Sequence, residues 1–155
     1  MDPLSVATSI AGLIVAACQV LSLLKTFADN AKEAPNSAQA VLMEVNGISI
    51  CLNQLQEYVL GKQELFKTRR SLIMIEQVIV VLTDCVSVFS ELEQILEILK
   101  TDPPLRTIDR LKWTMKEATI SRLLHRLQTS KSSLTLMLTT LNWYSCLQEL
   151  RWALG

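Results

Sequence analysis

Residues 3–24 read PLSVATSIAGLIVAACQVLSLL and contain no charged side chain. A secretory signal, a membrane span and one core helix of a soluble bundle can all carry such a run, so its reading decides the fold. A signal peptide needs a basic segment before its apolar stretch, and only Asp2 precedes this one. The secretory reading fails, and a cytoplasmic protein is the expectation. Spacing then favours a helix with one packed seam. Val6, Ile10, Leu13, Ala17, Val20, Leu24 and Phe27 step by four and three alternately, as in helices packed at shallow angles.

The same stretch also has the length of a span. At 1.5 Å per residue its helix covers ~33 Å, enough to cross a hydrocarbon core. Leu4, Val6, Ile10, Leu13, Ile14, Val15, Val20, Leu21, Leu23 and Leu24 together favour insertion by about 3–6 kcal/mol, and the serines, Thr8 and Gln19 erode that sum. The segment is able to enter lipid without being compelled to. Its membrane-insertion candidates are Leu4, Val6, Ile10, Gly12, Leu13, Ile14, Ala16, Val20, Leu21 and Leu24. Thr8, Gly12 and Ala16 form a small-residue row at four-residue spacing. Such a row serves close packing inside a soluble bundle or helix contact in lipid, and spacing alone favours the first.

Outward from this segment the pattern repeats. After Pro35, Val41, Val45, Ile48, Leu52, Leu55 and Val59 predict a second helix stopped at Gly61. Ile75, Val78, Leu82, Cys85, Phe89, Leu92, Leu96 and Leu99 predict a third, ended by the prolines of TDPPLR. This helix is apolar over most of its circumference, with a polar stripe of Gln77, Asp84 and Glu91. That composition predicts the central position in the bundle. Leu105, Ile108, Leu111 and Met115 predict a short helix. A phase slip at residues 117–119 separates it from a long one carrying Ile120, Leu124, Leu127, Leu134, Leu138 and Leu141. The expected fold class is all-α: a bundle of four main helices plus one short helix. Residues 1–141 form the domain, and 142–155 a tail that extends the last helix.

Composition excludes more functions than it supports. Half of the 155 residues are apolar, 19% are charged and the formal net charge is zero. Disorder is excluded, and nothing pulls the whole chain towards nucleic acid. The four cysteines lie far apart without a C-x-x-C pair, so buried free thiols are expected and no metal. His125 is the one histidine and lies between arginines in SRLLHRLQ. Glu93 and Glu97 read as a solvated helix face, and no phosphate-binding loop occurs. No catalytic constellation emerges. The expectation is a non-enzymatic chain without cofactor, small-molecule substrate or nucleic-acid partner.

Two regions remain as candidates for binding. Arg106, Arg110, Lys112, Lys116, Arg122, Arg126 and Lys131 read mostly as a solvated surface. Their functional reading is contact with anionic lipid headgroups, at about 1 kcal/mol per nearby basic residue. Trp143, Tyr144 and Trp152 in NWYSCLQELRWALG suit a partner interface, and equally the closing of one end of the core.

A family resemblance adds to this reading. The stretches MDPLSVATSIAGL, LLKTFADNAKEAPNSAQAVLMEVNGISICLNQLQ, RRSLIMIEQVIVVLTDCVSVFSELE and DRLKWTMKEATISRLLHRLQTSKSSLTLMLTTL resemble the N-terminal domain of fungal NLR-like (STAND) proteins, in the HeLo-like group. The match covers nearly all of 1–141, and its specificity lies in its length. It implies a helical bundle at the effector end of a receptor, followed in that family by a nucleotide-binding module and repeats. It further implies regulated cell death through an N-terminal helix that reaches the plasma membrane, a role falling here on Leu4 to Leu24. A short stand-alone relative or a fragment of a longer receptor both fit. The alternative is a homotypic adaptor that binds other helical domains, or itself, and never touches lipid.

Overall fold

The computed structural model describes residues 3–30, 35–61, 69–99 and 106–153, and all its regular elements are helices. They are α1 (Pro3–Asn30), α2 (Asn36–Gly61), α3 (Arg69–Leu99), α4 (Arg106–Met115) and α5 (Glu117–Ala153). Four are long and α4 is short, so the chain is an all-α helical bundle.

Local chemistry sets the boundaries. The Pro35 carbonyl accepts the amides of Ala38 (2.8 Å) and Gln39 (3.4 Å), so this proline stands at the start of α2, where its missing N–H costs nothing. Between α4 and α5 a single residue breaks the helix. The Lys116 amide donates to the Trp113 carbonyl at 2.9 Å, and the Lys116 carbonyl accepts the Ile120 amide at 2.9 Å. Glu117 then occupies the first turn of α5, where a carboxylate meets the positive end of the helix dipole. The break falls one residue before the expected phase slip.

Packing pairs α1 with α2 and α3, and α5 with α2 and α3, leaving α1 and α5 on one diagonal. Cross-helix contacts fix the directions. Glu44, Cys51 and Tyr58 of α2 meet Lys131, Thr135 and Leu141 of α5 in rising order, so these two run parallel. Asp84 and Glu91 of α3 meet Arg126 and Arg122 in falling order, so α3 and α5 run antiparallel.

The predicted seams of α1 and α2 are buried throughout, as is that of α3 from Val78 to Leu99; the Ile75 side chain lies outside the described residues. Three expectations need correction. α3 is not central: Val80, Val86 and Ile98 are exposed, and α3 is one of four corners. Its apolar excess reflects β-branched residues tolerated on an open face. Secondly, the short helix does not bury Leu111 and Met115, which are both exposed; Leu105 and the Ile108 side chain lie outside the described residues. Trp113 takes the core place at 1% exposure. Its ring stacks on Phe27 with centroids 4.8 Å apart, and its Nε1 donates to Ser37 Oγ at 3.0 Å. One side chain of α4 thus closes the bundle end where α1 finishes and α2 begins. Thirdly, Leu123 rather than Leu124 is fully buried on α5: between Ile120 and Leu127 the seam steps by three and then four, and Leu124 is half-buried beside it.

Candidate functional site

The faces of α1 divide its insertion candidates. Val6, Ile10, Leu13, Val20 and Leu24 point into the core, while Ile14, Ala16 and Leu21 are half-buried at its margins. Gly12 lies on the open side, and of Leu4 only the helical backbone is described. That open side also carries Ser5, Thr8, Ser9, Gln19 and Ser22, with Val15 59% exposed. Of the small-residue row, Thr8 and Gly12 therefore lie in the open, and Ala16 packs at the margin of the core. A Cβ on Gly12 would meet nothing within 4 Å. From Ser5 to Ser22 the solvent-facing side of α1 holds no charge, whereas the outer face of a soluble helix is usually polar and charged.

Two hydroxyls along this side donate back to their own helix. Ser9 Oγ donates to the Ser5 carbonyl at 3.0 Å, and Thr26 Oγ1 to the Ser22 carbonyl at 2.9 Å. A hydroxyl satisfied by its own helix costs less to place in an apolar medium than one that depends on water.

The basic candidates divide differently. Arg122 pairs with Glu91, and Arg126 lies between Asp84 and Glu91. Arg126 also donates to Ser87 Oγ at 3.3 Å, and Ser130 Oγ donates to Asp84 Oδ2 at 2.9 Å. Asp84 and Glu91 of the α3 stripe thus form one half of an ionic strip along the α3–α5 contact, consistent with its antiparallel register, while Gln77 is exposed. Lys131 reaches the other way, its Nζ 2.6 Å from Glu44 Oε2 on α2. Its stem crosses Gly47, where an added Cβ would stand 2.9 Å from Lys131 Cδ. Lys116 is exposed and Lys112 half-buried; for Arg106 and Arg110 only the backbone is described. Three of the seven candidates therefore hold the bundle together.

Removing one partner of that strip has a modest expected effect, because both side chains keep contact with water. Arg126→Ala should lower stability by about 1–2 kcal/mol. A double-mutant cycle with Asp84→Ala, read by urea unfolding, should give a coupling of about 1 kcal/mol. Coupling indistinguishable from zero would reduce the strip to decoration.

The thiols also differ from expectation: Cys18 and Cys146 are exposed, Cys51 is half-buried and only Cys85 is buried. Burial pushes the Cys85 thiol up to about 11, which keeps it protonated and unreactive. His125 is exposed on α5, and Glu93 and Glu97 lie at or near the surface. Among the described residues no group of three metal-binding side chains occurs.

Trp143 is 65% exposed and Tyr144 is exposed as well, so these aromatics do not close the core; the Trp152 side chain lies outside the described residues. Sequence reasoning noticed the aromatics but missed the leucines that share their face, Leu136, Leu147 and Leu150, all exposed. The missed signal was a second heptad, running Leu136, Thr140, Trp143, Leu147 and Leu150, overlaid on the buried one.

Comparison with protein-family models, with curated proteins and with solved structures finds no match to this chain.

Proposed function

We propose that this chain is a non-enzymatic effector module of the HeLo-like kind, at the N-terminal end of an NLR-like receptor, which acts in regulated cell death by delivering α1 to a membrane. One observation carries the reading: α1 is long and apolar enough to cross a bilayer, and its water-facing side is free of charge from Ser5 to Ser22. Burial of one face holds the helix in the bundle, and the makeup of the other leaves lipid open to it.

Val6, Ile10, Leu13, Val20, Leu24 and Phe27 are buried, and exposing six such side chains to water costs about 9–18 kcal/mol. Release therefore needs both a bilayer to receive the helix and a trigger that weakens the hold on α1, such as clustering by a neighbouring receptor module. In the released state the exposed Lys116 and other basic residues of the last third meet anionic headgroups. On this reading the protein is cytoplasmic and moves to the plasma membrane when activated.

Dye release from anionic vesicles tests this. Wild type should release little, and Trp113→Ala, which loosens the end of α1, should release several-fold more. Adding Gly12→Asp and Val15→Asp to that variant places two charges on the lipid-facing side at about 2.5–3.5 kcal/mol each and should return release to the wild-type level. Equal release with and without the aspartates would overturn the reading. The rival reading, a homotypic adaptor that never meets lipid, rests on the exposed aromatics of α5 and expects no release from any variant.

A further inference from the structure

α5 carries two apolar faces. Ile120, Leu123, Leu127, Leu134, Leu138 and Leu141 fill the core. On the opposite side, Arg122, His125, Thr129 and Ser132 give way after Ser132 to Leu136, Thr140, Trp143, Leu147 and Leu150. These five alternate by four and three, so they form a straight seam along the helix. Leu136 is 69% exposed, and the other apolar members are exposed too. The seam also outruns its neighbour. Tyr58 Oη donates to the Leu141 carbonyl near the end of α2, yet α5 continues to Ala153, leaving ~18 Å of helix beyond that point.

We infer that this seam is a self-association surface, on which α5 of one chain packs against α5 of a second copy to form a two-fold dimer in solution. Four features select a second copy as occupant. A heptad seam is complementary to a helix of the same repeat. From Ser132 to Gln148 no side chain is charged, and the chain's formal net charge is zero, so two copies meet without repulsion and a charged partner finds nothing to pair with. An antiparallel two-fold centred between residues 140 and 143 sets Thr140 opposite Trp143 and Leu136 opposite Leu147, so the seam meets itself. The area also suffices. Leu136, Trp143, Tyr144, Leu147 and Leu150 offer roughly 500 Å² per copy, so a pair buries at most about 1,000 Å², the size of a weak, micromolar interface. Thr140 is no obstacle, since its Oγ1 donates to the Leu136 carbonyl at 2.8 Å and enters the interface already satisfied.

The inference is independent of lipid entry by α1, and its test contains no lipid. Sedimentation equilibrium of the whole chain at about 100 µM, far above a micromolar dissociation constant, should give a dimer. Leu136→Glu and Leu147→Glu, at exposed positions, should each weaken it by about 30-fold or more while the helical circular dichroism spectrum stays unchanged. Val80→Glu, on an exposed part of α3, should leave it intact. A wild-type monomer overturns the inference, whether inert or binding vesicles or another protein through these residues. A dimer unaffected by either glutamate overturns it equally.

Discussion

Trp113→Ala should lower the unfolding free energy by about 3–5 kcal/mol, the range for deleting a fully buried aromatic. Among the described side chains of α4, Trp113 is the one large buried residue, and it stacks on Phe27 at the end of α1. Its removal opens a void where three helices meet and leaves Ser37 Oγ without its donor. The void cannot collapse easily, because α4 is tethered directly to α5 through the single turn at Lys116. Trp113→Phe keeps most of the stacking and loses the hydrogen bond, so it should cost about 1 kcal/mol. Urea unfolding of both variants measures the difference. A loss below about 1 kcal/mol for the alanine would mean that α4 only rests on the bundle.

A second large effect separates the two sides of α1 within two turns of one another. Ile10 is fully buried, so Ile10→Asp would put a carboxylate in the core. It should cost at least about 4 kcal/mol or prevent folding, and Ile10→Ala gives a measurable counterpart at about 2–5 kcal/mol. Val15 looks outward, and valine and aspartate have similar helix propensities. Val15→Asp should therefore change stability by less than about 0.5 kcal/mol. Thermal and urea unfolding of the three variants read this directly. Similar losses at both positions would mean that both faces of α1 are packed, and its open side would lose its meaning.

Much of this architecture was legible in the residues. The seams of α1, α2 and α3 follow from spacing alone, since a side chain repeated every 3.5 positions has one face to occupy. Pro35 and the proline pair after α3 marked boundaries because proline chemistry is local. What spacing hides is the partner of each face. Asp84 and Glu91 read only as a polar stripe, because α3 by itself does not reveal that Arg122 and Arg126 lie opposite. Trp113 escaped notice because a ten-residue helix is too short for periodicity to choose among its apolar positions. The Thr8, Gly12 and Ala16 row was assigned to the bundle interior, since small residues permit close packing; whether a neighbour uses that permission is a tertiary fact. The α5 leucines were overlooked because the stronger buried heptad masks the exposed one.

The central claim is that α1, held in the bundle by one face, enters lipid once that hold weakens. Cys18 lies exposed on α1 and offers a native attachment point for an environment-sensitive fluorophore. With Cys51 and Cys146 changed to serine, and Cys85 kept inert by burial, the label reports on α1 alone. Added to anionic vesicles in the Trp113→Ala background, the probe should shift its emission to the blue and be quenched by nitroxide-bearing lipids. A vesicle-bound protein whose probe still emits as in water, unquenched by those lipids, would contradict the account.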